Sequence, residues 1–257
     1  YTKAIDNVIY YMDKINKICK TDYKPFNYYG DKSSDTVIIA MGSVCECIKE
    51  VVDNLNKNGK KVGLVTVHLY RPFSNSYLSS IIPSSVKKMA VLDRTKEACS
   101  SGEPLYLDVV NALKDRDIKI IGGRYGLSSK NTTPAMIKSV YDNLSGDMKS
   151  NFTIGINDDV TNLSLDIDNS YRLDNNNYEM LIYGYGSDGM VSTSKDILRI
   201  IGDNTKKYVQ GYFQYDSKKS GGVTRSHIRI GDTPIRSSYY VDNPNFIVVS
   251  KDSYMYK

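Results

Sequence analysis

Residues 182–195 read IYGYGSDGMVSTSK, and within them Gly184, Gly186 and Gly189 form a G-x-G-x-x-G pattern. In a strand-turn-helix context, such glycines can bring backbone N–H groups against a diphosphate. The flanks fit that context: Glu179–Tyr183 has strand character and Val191 to Ile201 has helical spacing. A nicotinamide site would also need an acidic residue about 20 positions on, for the ribose hydroxyls. Asp216 ends the next expected strand, Tyr208–Tyr215, but lies further along and runs into Ser217-Lys218-Lys219-Ser220-Gly221-Gly222. A loop of two lysines among small residues suits phosphate groups better than a ribose diol. Three readings stay open from spacing alone: a nicotinamide dinucleotide, another phosphate-bearing ligand, or a purely structural turn.

Two charged residues qualify the site. Asp188 would repel a phosphate at its own position, or would bond nearby backbone within the turn. Lys195 lies one turn into the helix, where a cation opposes the helix dipole and calls for an anionic partner, either a ligand or a surface carboxylate. Elsewhere the chemistry is sparse. Cys19, Cys45, Cys47 and Cys99 show no C-x-x-C spacing and the only histidines are His68 and His227, so no metal site is assigned. His68 is expected to be a satisfied packing residue. His227 alternates with Arg225 and Arg229 on a strand whose basic face could meet phosphates or an acidic partner. No catalytic residue is assigned, and Cys99 has no histidine near it in sequence to activate it.

The elements that must position these residues are clearest in the first half. Thr36–Ala40 is an apolar, β-branched run, and Ser43 with Glu46 has capping-box spacing ahead of a helix with Val44, Ile48, Val51, Val52 and Leu55 on one face. The alternation continues through strand Lys61–His68, helix Ser74–Ile82, strand Lys88–Asp93, a helix opening at Glu103-Pro104, strand Ile118–Gly122, and a helix from Thr133-Pro134 to Leu144. Strands separated by helices predict a doubly wound parallel α/β sheet over residues 30–147. Residues 1–29 read as a linker or arm, and the Asn/Asp-rich tract 157–177 as an irregular connection before the glycine motif.

The chain has 257 residues, 40% of them hydrophobic, and a net charge of +5. Its basic residues are scattered, which argues against a nucleic-acid surface, and no apolar run reaches the ~18–20 residues of a membrane span. The start lacks an initiator Met and any signal-peptide pattern, and four unpaired thiols fit a reducing setting; the expectation is a cytoplasmic piece of a longer protein.

Eight ordered blocks carry a resemblance: YRPF (70–73), LDRTKE (92–97), GEPLYLDV (102–109), GGRYGLSSK (122–130), TPAMIKSVYDNL (133–144), FTIGINDDVTNLSL (152–165), GYGSDGMVSTSK (184–195) and QGYFQYDSKKSGG (210–222). Together they resemble the pyruvate:ferredoxin (flavodoxin) oxidoreductases, with pyruvate:NADP+ oxidoreductase as a variant arrangement. The resemblance implies a transketolase C-terminal-like domain at 30–147. It implies, at 151–257, the truncated N-terminal part of an α/β domain like the gamma subunit of 2-oxoacid oxidoreductases.

Such enzymes oxidise pyruvate to acetyl-CoA and CO2 with thiamine diphosphate, Mg2+ and [4Fe–4S] clusters, as homodimers that pass electrons to ferredoxin, flavodoxin or a fused flavin reductase. The resemblance places the thiamine and cluster domains elsewhere in the parent, so this chain alone should be inert. It associates the gamma-like domain with coenzyme A. Lys218 and Lys219 are then the expected phosphate contacts, with Ser187, Gly189 and Ser220 as backbone or hydroxyl contacts and Lys195 as a further one. Two blocks depart from the family pattern: Met190–Lys195 stands where Thr-Val-Gly-Ala-Asn-Lys is usual, and Ala98-Cys99 where Pro-Gly is. A stand-alone NAD(P)-binding oxidoreductase and a non-catalytic scaffold are the alternatives.

Overall fold

The computed structural model describes residues 3–157, 160–217 and 221–255, which divide into two compact units, one up to Leu173 and one from Asp174. The first unit begins with helix α1 (Ala4–Cys19) and strand β1 (Phe26–Gly30). There follow β2 (Thr36–Met41), α2 (Val44–Lys57), β3 (Val62–Val67), α3 (Asn75–Ile81), β4 (Lys88–Asp93), α4 (Pro104–Ala112), β5 (Lys119–Arg124), α5 (Pro134–Ser145) and β6 (Phe152–Thr153). The sheet order is β1-β3-β2-β4-β5-β6, parallel throughout except that β1 runs antiparallel to β3.

The parallel strands are buried on both sides because helices cover both faces: α2 and α5 pack together, as do α3 and α4. Successive side chains of a strand point to opposite faces, so Val37 and Ile39 join Val65, Val67, Met89 and Val91 under α3 and α4. Burying each such side chain contributes about 1.5–3 kcal/mol. This is the doubly wound α/β sheet that the strand-helix alternation predicts.

The helices start where the sequence places them; side-chain caps form at two of these starts, and an expected third does not. Thr133 Oγ1 accepts from the Met136 N–H at 3.3 Å and Ser74 Oγ from the Tyr77 N–H at 3.4 Å. The expected capping box of Ser43 and Glu46 does not form: Ser43 has helical backbone angles and makes no side-chain cap bond, while Glu46 pairs with Lys49 at 2.6 Å. Phe26–Gly30, all but its last residue in the segment 1–29 read as an arm, is an edge strand whose Phe26 belongs to the core.

In an open α/β sheet, ligands usually sit beyond the carboxyl ends of the strands. Here two of those ends are occupied internally. Asp93, ending β4, accepts from the Leu105 and Tyr106 N–H groups at 3.1 Å each and caps α4. Burial raises its carboxyl above the ordinary range against those bonds. Arg124, ending β5, pairs with the buried Glu103 at 2.6 Å.

The second unit contains β7 (Tyr178–Tyr185), α6 (Met190–Asn204), β8 (Tyr208–Tyr215), β9 (Val223–Gly231) and β10 (Phe246–Val249), in the sheet order β10-β7-β9-β8. β10 is parallel to β7, and β9 is antiparallel to both β7 and β8. Helix α6 packs against β7, β8 and β9.

Candidate functional site

The glycine motif lies where sequence put it, in the turn between β7 and α6, and each glycine there has a local reason. A Cβ on Gly184 would sit 2.5 Å from Thr224 Oγ1 and 2.8 Å from Met190 Cβ, so a bare backbone is what lets β9 and α6 approach. Gly186 lies against Gly221 and Gly222, and its N–H donates to Gly222 O at 2.8 Å. Gly189, with φ +86°, is the residue before α6. Ser187, also at positive φ (+78°), is exposed at the tip.

Asp188 closes this turn on itself. Its carboxylate accepts from the Tyr185 N–H at 2.6 Å and from the Met190 N–H at 2.9 Å. The first amide of α6 is therefore already matched by an anion, the arrangement that a helix N-terminus favours. Burial works against ionisation of Asp188, but the bonds from Met190, Tyr185 and the Ser250 side chain outweigh it and hold the carboxyl below the ordinary value. A dinucleotide turn needs those N–H groups open to a diphosphate. Topology points the same way, because antiparallel β9 separates β7 from β8, whereas a βαβ dinucleotide fold sets those two strands side by side. The nicotinamide reading of the motif is not favoured.

Lys195 is exposed on α6, and its ammonium lies 5.5 Å from the centre of the Phe213 ring; the partner found for this cation is an aromatic face. Lys218, Lys219 and Ser220 lie outside the described residues. The flanks of their loop are described: the Asp216 N–H donates to Val223 O at 3.2 Å, and Gly222 meets Gly186 as above.

Sequence reasoning missed β10 and the two residues after it. The Ser250 N–H donates to Tyr183 O at 3.0 Å, and Lys251 Nζ stands 5.2 Å from the centre of the Tyr185 ring. The signal was the β-branched run Phe246–Val249 after Pro244. Ser187, Gly189, Ser250 and Lys251 thus belong to the C-terminal end of β7 and its immediate neighbours.

Arg225 is half-buried, its guanidinium 5.6 Å from the centre of the Tyr183 ring, and the rest of the expected basic face, His227 and Arg229, is covered. The segment after β9 folds back over it, and Arg229, buried, bonds Glu179 at 2.6 Å and the carbonyls of Tyr239 at 2.7 Å and Ser237 at 3.3 Å. His227 Nδ1 accepts from the Val241 N–H at 3.1 Å, which leaves the Nε2 proton for Gln214 Oε1 at 2.8 Å. Burial, with Arg229 and Arg225 beside it, lowers its pKa to about 4, so the ring is neutral near pH 7. His68 also differs from expectation, being exposed and edge-on to Tyr23 with centroids 5.1 Å apart.

Among the described residues, no group of three or more His, Cys, Asp or Glu side chains could hold a metal ion. Cys45 and Cys47 are buried on α2, and Cys19 and Cys99 are exposed, so these thiols do not form a cluster-ligand set. No helix among the described residues is long and apolar enough to cross a membrane.

Comparison with known proteins follows these two units. The family model for pyruvate:ferredoxin oxidoreductase core domain II matches residues 34–137, and the model for pyruvate ferredoxin/flavodoxin oxidoreductase matches residues 179–257. These matches set the chain among the oxidoreductases linked to ferredoxin or flavodoxin. It is 51% identical to the pyruvate-flavodoxin oxidoreductase of Enterobacter agglomerans, over 96% of this chain and 22% of that protein. Identity is 47% to the pyruvate-flavodoxin oxidoreductase of Trichormus variabilis (96% of this chain, 21% of the other). It is 46% to the pyruvate:ferredoxin oxidoreductase of Moorella thermoacetica (95% and 21%). The chain belongs to the pyruvate:ferredoxin (flavodoxin) oxidoreductase family, and it spans 21–22% of the length of these relatives.

Proposed function

We propose that this chain supplies structural and coenzyme A-binding parts of an enzyme that oxidatively decarboxylates pyruvate to acetyl-CoA and CO2. In this reading, electrons pass to ferredoxin or flavodoxin, or to NADP+ through a fused flavin reductase. Thiamine diphosphate, Mg2+ and [4Fe–4S] clusters are held by other parts of a longer, homodimeric, cytoplasmic protein, and the chain alone is inert. Residues 30–147 act as the transketolase C-terminal-like domain, and residues 151–257 as the first part of the gamma-like domain.

The observation that supports the coenzyme A site is the Gly186 N–H bond to Gly222 O at 2.8 Å, because it ties the flank of the lysine loop to the glycine turn. Coenzyme A is polyanionic through its 3′-phosphate and diphosphate. Lys218 and Lys219 are the proposed phosphate contacts, with Ser187, Gly189 and Ser220 as backbone or hydroxyl contacts and Lys195 as an additional cation. Since Asp188 occupies the first amide of α6, the contacts to phosphate come from lysines and exposed turn groups instead of the helix end.

The test is the full-length enzyme carrying Lys218→Ala and Lys219→Ala. A rise of about 10-fold or more in KM for coenzyme A, with KM for pyruvate unchanged, is expected for two lost charge-assisted contacts. An unchanged KM for coenzyme A rejects the site. Titration of the 257-residue chain with NADH and NADPH, followed by their fluorescence, should show no saturable binding.

A further inference from the structure

We propose that Arg225 and Lys251 form a second cationic station, on the sheet face turned away from α6, and that they bind the 3′-phosphate of coenzyme A. The assignment rests on the coenzyme A reading above and adds to it the residues that tell coenzyme A from its dephosphorylated form.

Side chains alternate along a strand, so Tyr183 and Tyr185 share one face of β7 about 7 Å apart, while Gly184 between them faces α6. Arg225 stands directly opposite Tyr183 on β9, and its guanidinium lies 5.6 Å from the centre of that ring. Lys251 reaches the same face by the same alternation. The Ser250 N–H donates to Tyr183 O, so the chain beyond β10 still follows β7. The Ser250 side chain bonds Asp188 in the turn before α6, and Lys251, with extended backbone (φ −147°, ψ 128°), turns the other way, its Nζ 5.2 Å from the centre of the Tyr185 ring.

The other two basic residues of β9 on this face are accounted for within the unit. Arg229 pairs with Glu179, and His227 is neutral near pH 7. Arg225 differs: its Nε is buried with no hydrogen-bond partner among the described residues. An aromatic face holds a cation in place without neutralising it, and a guanidinium short of acceptors is relieved by an anion. A planar Arg fork beside a Lys ammonium can bond one phosphate together.

Tyr185 connects this station to the root of the lysine loop, since a Cβ on Gly221 would lie 3.0 Å from its hydroxyl oxygen. Coenzyme A carries its 3′-phosphate and its 5′-diphosphate on one ribose. With the diphosphate at the loop, the 3′-phosphate falls to Arg225 and Lys251.

Steady-state kinetics of the full-length enzyme with coenzyme A and with dephospho-coenzyme A test this. The unaltered enzyme should prefer coenzyme A in kcat/KM by about 10-fold or more. Lys251→Met and Arg225→Gln should each cut that preference about threefold or more by slowing coenzyme A alone, and Arg225→Lys should recover part of it. The rate with dephospho-coenzyme A and KM for pyruvate should stay unchanged, which also shows that each variant is folded. No preference in the unaltered enzyme, or a preference intact in either variant, overturns the proposal. If Lys218→Ala with Lys219→Ala still raises KM for coenzyme A in that case, the lysine-loop reading stands without it. A preference lost in both variants while the two lysine changes do nothing keeps the 3′-phosphate station and removes the loop.

Discussion

Asp188 shows how one side chain changes the meaning of a motif. Read as G-x-G-x-x-G, residues 184–189 could cradle a diphosphate; with the carboxylate bonded to the Tyr185 and Met190 amides, the turn supplies its own anion. Asp188→Ala should therefore cost about 1–2 kcal/mol, comparable to losing a side-chain bond to a helix's first-turn amides, read as a lower urea midpoint with unchanged slope. His227 gives a pH dependence. Its folded-state value of about 4 lies below the ordinary 6.5, so the unfolded chain holds the extra proton between those values. The contribution is full above pH ~6.5 and is lost as pH falls to ~4, a total of about 3 kcal/mol. Urea unfolding at stepped pH should show that acid limb, and His227→Gln should flatten it. Asp188's part in the turn was one of two readings open in sequence. The Glu179 partner of Arg229 was not legible, since the two residues are 50 positions apart and meet only across the β7–β9 ladder.

At the level of elements, periodicity carried the first unit, where each parallel strand is a short, continuous apolar run and each helix an amphipathic segment. It failed for β1 and β10, whose runs are short edge strands defined by their neighbours. The Ser43/Glu46 pair had the right spacing for a cap, yet Gly42 at φ +81° leads into a Ser43 already helical, so its side chain is not placed to cap. The β7–α6 junction depends on close approach. Gly184→Ala puts a methyl 2.5 Å from Thr224 Oγ1 and should cost about 2 kcal/mol, a typical overpacking penalty. Gly189→Ala meets nothing within 4 Å and should cost about 1 kcal/mol, from its left-handed backbone alone. Thermal melts of the pair should rank them in that order.

For the whole molecule, a net charge of +5 and a polyanionic ligand make the proposed binding electrostatic. Raising salt from ~0.05 to ~0.5 M, which shortens the screening length from about 14 to 4 Å, should weaken coenzyme A binding severalfold in calorimetric titration. A salt-independent affinity would point to apolar contacts. The family is legible from eight ordered blocks, and both family models match in the same order along the chain. Sequence alone determined the alternating architecture of the first unit, because burial on both sheet faces imposes continuous apolar strands that local composition reveals. Only the tertiary structure decided that β9 lies antiparallel between β7 and β8, that Asp188 takes the Tyr185 and Met190 amides, and that His227 and Arg229 are roofed by the segment after them. Those outcomes depend on which distant backbone and carboxylate groups reach each side chain, and that is set by strand pairing, to which residue spacing along the chain is blind.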